Sequence, residues 1–381
     1  MFFPIRLKQF GVTAKSITKN NAGKIIRGYA RIAMNTIPTI FNEKITQYSA
    51  VGCKERIATA GISAIVLSRG NIPHRSFFHD LEKIGFDYVI SIESSAPHYD
   101  IEELSGRFPF VRFILPESEI NLGQQINLGV TEIKSPLFYV FRSDMKIVAG
   151  GTARRMAERL SVNEEGDEKK GGCDNSTGFK RLCTVPVIMN SNYEILPSLI
   201  SPMTQKKQMR TVCFEPRNEG DLSLYPFDGI GIYDRQRFIN LGGFDATLKH
   251  THWQLMDFGF RSHLWGEEIA LNLHFKLSYD GELPQENYTV EDYYRLFYLK
   301  NLAPVFRNDY AHLPLYRFPG FMKKSGIDPG LAWDEFKETR KWVTTNKYRW
   351  KCDARDVTKH WDTALAARIV ESSIKEKEGS N

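Results

Sequence analysis

The stretch Asn121-Leu122-Gly123-Gln124-Gln125-Ile126-Asn127-Leu128-Gly129-Val130-Thr131-Glu132-Ile133-Lys134-Ser135-Pro136-Leu137-Phe138-Tyr139-Val140-Phe141-Arg142-Ser143-Asp144 decides the fold. Its first half begins a helix near Leu122 and places Ile126, Val130 and Ile133 on one apolar side. Its second half, 136–141, is an apolar run that reads as a buried strand, closed by Asp144. A carboxylate at the carboxyl end of a buried strand stands where open α/β sheets receive their ligands.

Upstream, the same alternation repeats. Apolar runs at 62–67, 88–92 and 111–115 read as strands. Between them fall a helix over 75–84 and another containing Ile101, Leu104 and Phe108. Such alternation predicts βαβ units and an α/β fold with a mixed, mainly parallel sheet flanked by helices. Downstream, a helix rich in small and charged residues over 150–160 runs into 161–180, where Glu164, Glu165, Asp167, Glu168 and Gly171-Gly172 replace any apolar period. That stretch reads as a solvated loop, either a lid or an exposed insertion. Strands resume at 185–189, 211–214 and 230–233, the last just after Asp228-Gly229. From about Tyr288 the chain becomes aromatic and helical. Tyr293, Tyr294, Phe297 and Tyr298 form a stripe that reads as core, and a final helix covers 333–342.

Three regions follow: a basic N-terminal extension over 1–58, an α/β domain over 59–285, and a mostly helical C-terminal extension over 286–381. The first carries lysine and arginine throughout, with only Glu43 and Glu55 opposing them. Ile25, Ile26, Tyr29, Ile32 and Ala33 approximate helical spacing there, on a face packed against its own domain or lying on an anionic membrane surface. Arg6 and Lys8 break the opening apolar run before it reaches the length of a signal or a membrane span. With 42% hydrophobic residues among 381, the chain can bury a large core. A net charge of +6 without arginine-rich repeats or RNP-like aromatics argues against nucleic acid as a partner. Five scattered cysteines, with no CxxC pair, read as reduced thiols. The expected location is therefore cytoplasmic, with peripheral contact to the inner face of a membrane if the basic extension supplies it.

Taken together, Leu67-Ser68-Arg69-Gly70-Asn71, Ile92-Glu93-Ser94-Ser95, the two Asn-Leu-Gly turns and Arg142-Ser143-Asp144 resemble the nucleotide half of family 2 glycosyltransferases with the GT-A (Rossmann-like) fold. A second block resembles the acceptor half: 228–235, then Leu241-Gly242-Gly243-Phe244-Asp245, then Met256-Asp257-Phe258-Gly259-Phe260-Arg261. The likeness covers about residues 61 to 280.

The resemblance implies an inverting transfer of a sugar from a UDP- or GDP-sugar to a hydroxyl of a glycan, lipid-linked or small-molecule acceptor, assisted by Mn²⁺ or Mg²⁺. Ser68, Arg69, Glu93, Asn121, Gly123, Asn127, Arg142, Ser143 and Asp144 would bind the donor, with Glu93 on the uracil or ribose. Asp144 matches the last acid of the Asp-x-Asp metal motif, and His274 is the best-placed further ligand; a helix cap and a core histidine are the competing readings. Gly242, Gly243 and Trp253 would meet the acceptor, Trp253 by stacking unless it is buried.

Two departures stand out. Arg142 occupies the first acid position of the metal motif, where it can pair with a phosphate. Gln254 and Leu255 occupy the Glu-Asp base position, leaving Asp257 and Asp228 as candidates to assist the acceptor. Asp257 reads equally as an i,i+4 partner of Arg261, and Asp228 as a turn cap. The alternative function is a non-catalytic nucleotide-sugar-binding or assembly protein on the same frame. A nucleotidyltransferase ranks below both, because 68–71 lacks a glycine-rich phosphate loop.

Overall fold

The computed structural model describes residues 47–54, 59–69, 76–93, 99–161, 181–205, 208–279, 291–359 and 361. The amphipathic segment at 25–33 and most of the charged stretch 161–180 lie outside them. The chain forms one large mixed sheet with helices packed around it. In chain order the strands and helices are β1 (Tyr48–Gly52), β2 (Ile62–Leu67), α1 (Phe77–Ile84), β3 (Val89–Ile92), α2 (Ile101–Arg107), β4 (Val111–Pro116), α3 (Leu122–Glu132) and β5 (Leu137–Arg142). There follow β6 (Met145–Ala149), α4 (Ala153–Ser161), β7 (Cys183–Met189), β8 (Leu199–Gln205), β9 (Gln208–Phe214), β10 (Gly231–Asp234), α5 (Arg235–Leu241), α6 (Thr251–Leu264) and β11 (Ile269–Tyr279). The C-terminal region adds α7 (Glu291–Phe297), a hairpin of β12 (Val305–Arg307) and β13 (Tyr310–His312), α8 (Phe318–Ser325) and α9 (Pro329–Thr345).

The main sheet has the order β1-β4-β3-β2-β5-β10-β7-β11-β6. Strands β4, β3, β2 and β5 pair in parallel, and β7 with β11 likewise. The reversed strands are β1, β10 and β6, so six of the nine run in one direction, the mixed and mainly parallel arrangement expected from the sequence. Every residue of β2 and β3 is buried, as strands covered on both faces require.

The sheet is wider than the apolar runs imply. β1 falls within the stretch assigned to the basic extension, yet its residues pair with β4 from Tyr48↔Pro116 to Gly52↔Arg112. The C-terminal region is not separate from the core: Phe297, Phe336, Trp342, Trp350 and Trp361 join the same buried cluster as β2 and β5. Of the aromatic stripe expected as core, Phe297 is buried and packs against Trp253 and Phe260, while Tyr293, Tyr294 and Tyr298 lie partly exposed against the same cluster.

Local chemistry accounts for how α3 is set. Asn121 caps it, accepting from the Gln124 N–H at 2.9 Å while the Gln124 side chain returns to the Asn121 N–H at 3.1 Å. Gly129 then lets the helix lie close on β2, since a Cβ there would stand 2.8 Å from Ile65 Cγ2. The helix delivers the chain to β5, the fifth of the nine strands across the sheet, and Asp144 follows the end of that strand.

Candidate functional site

All the parallel strands end on one edge of the sheet, and the polar residues meet there. Ser68 and Arg69 follow β2, Glu93 follows β3, and Ser143 and Asp144 follow β5. The antiparallel β10 begins at the same edge, because Gly231 faces Val140, so Asp228 arrives beside Arg142. Tyr279 ends β11 opposite Met145, next to Asp144.

At the centre is a quartet of charges. Arg142 Nε and Nη2 donate to the two Asp228 oxygens at 2.7 and 2.6 Å, a parallel fork. Arg69 Nη2 donates to Asp228 Oδ2 at 3.1 Å, and Arg69 Nε lies 3.4 Å from Asp144 Oδ2. The Arg69 guanidinium also sits 5.7 Å from the centre of the Tyr279 ring. Burial pulls the Arg142 guanidinium down, but Asp228 more than offsets it, and the group is held above its ordinary value. Asp228 itself has a left-handed backbone, φ 50° and ψ 26°, rare for a residue other than glycine. Gly229 follows it with φ 72°.

Beside the quartet lies a second cluster. Glu93 is buried, and accepts from Ser91 Oγ at 2.5 Å and from the Tyr99 hydroxyl. Tyr99 is half-buried and within 3.2 Å of Ser68 Oγ. Burial and the Glu93 carboxylate together raise its phenol above the usual range. Each Glu93 oxygen thus holds one hydroxyl, and Tyr99 is the partly exposed member of the pair.

The other expected donor residues are spent on the fold. Besides capping α3, Asn121 Oδ1 accepts from Gln254 Nε2 at 2.7 Å. The Gly123 N–H donates to Gln254 Oε1 at 3.1 Å. Asn127 grips Phe244 by both backbone groups, at 2.8 and 3.0 Å. Asn121 and Gly123 thus tie the start of α3 to α6 through Gln254, and Asn127 ties it to the buried turn 241–245.

The acceptor candidates Gly242, Gly243 and Trp253 are buried. Gly242 and Gly243, with φ 93° and 68°, form a buried turn after α5. Arg261 holds that turn from within, donating to the carbonyls of Leu241 and Gly243 at 2.7 and 2.8 Å. Trp253 is 4% exposed and packed against Tyr294 and Phe297, so it offers no stacking face to a sugar.

Both candidate bases are paired with cations. Asp257 has no exposed surface. One oxygen accepts from Arg261 at 3.0 and 3.2 Å; the other faces Asn301 Nδ2 at 2.8 Å and Lys300 Nζ at 3.1 Å. Burial alone would raise its carboxyl, but Lys300 and Arg261 overcome this and lower it. Asp257 is a buried anchor. Both Asp228 oxygens accept guanidinium bonds and so hold the two arginines together.

The fit to a divalent cation can be tested on the residues present. Asp144 Oδ1 is buried and accepts no hydrogen bond from the described residues, so one oxygen is available. The rest of the set does not fit. Arg142 brings a cation to the end of the same strand, Asp228 is engaged by both arginines, and His274 is exposed on β11, five residues before Tyr279 and so roughly 15 Å along the strand from Asp144. No group of three His, Cys, Asp or Glu side chains among the described residues is arranged to hold a metal. Two unit charges 4 Å apart interact by about 4 kcal/mol at an effective dielectric near 20, and a divalent ion beside a guanidinium would meet about twice that in repulsion.

Tyr99, Tyr279, Lys300 and Asn301 went unmarked in the sequence. Nothing local distinguishes Tyr279 from any strand-end aromatic. Lys300 and Asn301 reach Asp257 through a π-helical turn, Tyr298–Leu302, that apolar periodicity does not reveal.

No protein-family model matches the sequence, and no curated protein matches it. Among solved structures, the chain is similar to GalNAc-T7 with UDP, GalNAc and Mn²⁺, at 14% identity and a TM-score of 0.47, covering 75% of this chain and 57% of that one. It is similar to S. aureus TarS at 11% identity and a TM-score of 0.42, covering 62% of this chain and 38% of that one. TarS residues 1–349 in complex with UDP-GlcNAc gives 11% identity, a TM-score of 0.41, and coverage of 74% and 72%. The chain therefore spans less than two thirds of the first two structures, and no residue correspondence is drawn from any of them.

Proposed function

We propose that this chain is a glycosyltransferase that takes a UDP- or GDP-sugar at the carboxyl edge of its sheet. It passes the sugar, with inversion, to a hydroxyl of a glycan, lipid-linked or small-molecule acceptor. The observation that supports this reading is the convergence of Arg69, Arg142, Asp144, Asp228 and the Glu93–Tyr99 pair at that single edge. In the transfer, the acceptor oxygen forms a bond to the anomeric carbon and gives its proton to solvent, while the bond to the β-phosphate oxygen breaks and its electrons remain on the diphosphate. The residues at the edge suit the leaving side of this exchange: guanidiniums oppose the charge that develops on phosphate. Asp144 Oδ1 offers an acceptor to a hydroxyl of the sugar nucleotide.

One observation favours a second reading, a nucleotide-sugar-binding or assembly protein. Leu255 stands at the family's base position, Asp257 is buried, and Asp228 is paired, so the acceptor side lacks a base among the candidates named.

Donor turnover separates the two. Purified chain incubated with a panel of UDP- and GDP-sugars is expected to release nucleoside diphosphate from one of them. Asp144→Ala is expected to weaken donor binding about ten- to hundredfold, as loss of a charged hydrogen bond of about 1.5–3 kcal/mol implies. Binding without any transfer or hydrolysis would establish the assembly reading instead.

A further inference from the structure

We propose that Arg69 and Arg142 form a diphosphate clamp that takes over the neutralising role of a divalent cation, so that nucleoside diphosphate binds this site without added metal. The inference rests on the donor-site reading above and deepens it, because it concerns what opposes the phosphate charge.

The geometry carries it. Arg142 lies at the end of β5, its side chain only 11% exposed, with its planar fork fixed by two parallel bonds to Asp228. Asp228 is held in place by an uncommon left-handed backbone, which costs stability unless the surroundings enforce it. Arg69 is bound on two sides, by Asp228 and Asp144, with its guanidinium near the Tyr279 ring. A guanidinium has five N–H donors. The two carboxylates engage the Nε and Nη2 nitrogens of both arginines, leaving each Nη1 without an acceptor among the described residues. Two cations on one edge, oriented in advance and each with a donor group to spare, match adjacent phosphates by fork geometry as well as charge. A cation at Asp144 would have only Oδ1 to bind, beside the Arg69 guanidinium that holds Oδ2. Asp228 is thus a positioning residue for the clamp.

Calorimetric titration of the full chain with UDP, GDP and uridine, in EDTA and in Mn²⁺, tests this. The expected result is that one diphosphate binds in EDTA within about threefold of its affinity in Mn²⁺, and that uridine binds at least about tenfold more weakly. Arg69→Gln should weaken the diphosphate about tenfold or more while leaving uridine unchanged, and Arg69→Lys should recover only part of the loss, since it restores charge without the fork. Arg69 is 30% exposed, so its variants are expected to melt with the wild type. Arg142→Gln alone strands Asp228 and risks misfolding, so the paired variant Arg142→Gln with Asp228→Asn is the second arm. Diphosphate binding that requires Mn²⁺ would overturn the clamp and leave the donor site standing. Binding in EDTA that both arms leave unchanged would overturn it as well. Binding of neither diphosphate in either condition would overturn the donor-site reading and the clamp with it.

Discussion

Asp257 is wholly enclosed, and its charge is balanced by Arg261 and Lys300 with Asn301 completing the shell. Its value in the protein is stability. Because the folded state favours the ionised form, the unfolded chain binds more protons in acid, and the contribution is complete above about pH 4, the ordinary aspartate value. It is lost as the pH falls through the lowered folded value. Denaturant unfolding measured from neutral pH downward should therefore show stability falling below about pH 4. Asp257→Asn should cost about 3–5 kcal/mol at neutral pH, since it leaves the buried Arg261 without a carboxylate partner, and should flatten that acid limb. An Asp257→Asn protein with unchanged stability and pH dependence would refute the anchor. Sequence spacing already exposes the Asp257–Arg261 pair as an i,i+4 contact. Its burial depends on Lys300 and Asn301, more than forty positions away, which no local pattern can report.

Among the elements, α3 does most to position the site, for it joins β4 to β5 and fastens the turn 241–245 through Asn127 and Gln254. Its capping signature and apolar side are local properties, so both are legible in the chain. Its polar groups are not: Asn121, Gly123 and Asn127 have the residue types of a ligand loop, yet their partners are Gln254 and Phe244. Gly129 gives a direct test of how closely the helix lies on β2. In Gly129→Ala, the new methyl would press on Ile65 at 2.8–2.9 Å. Overpacking of about 1–3 kcal/mol should outweigh the roughly 1 kcal/mol that alanine gains over glycine in a helix. The melting temperature should fall, and Ile65→Val in the same chain should restore part of it by removing Cδ1. No recovery in the double variant would show that the strain lies elsewhere.

On the scale of the whole molecule, a mainly parallel sheet gathers residues from four strand ends into one charged edge, while the C-terminal region closes the opposite side of α6. Lys300 binds both Asp245 and Asp257 and lies 5.0 Å from the centre of the Trp342 ring, so this region is cemented to the sheet domain. Among the described residues, no helix is long and apolar enough to cross a membrane. Surface attachment through the basic residues before β1 is a separate proposal. Deleting residues 1–46 keeps β1, and with it the edge pairing to β4. The full chain should float with anionic vesicles and not with zwitterionic ones, and the shortened chain with neither. Equal flotation of both forms would reject attachment by this segment.

The order of strands and helices through Asp144 was readable from the chain, because a buried parallel strand is a local apolar run and an amphipathic helix a local period. So was the placement of Asp144 at a strand end. The widths and partners were not. β1 is short and half-exposed, so its sequence carries no strand signature apart from β4. The arginines' hold on Asp228, the pairing of Asp257 with Lys300 and Asn301, and the burial of Trp253 arise from contacts 41 to 159 positions apart, where folding brings charges and rings together. Residue type proposes chemistry, but whether a carboxylate meets solvent, a ligand or a guanidinium depends on what the rest of the chain packs against it.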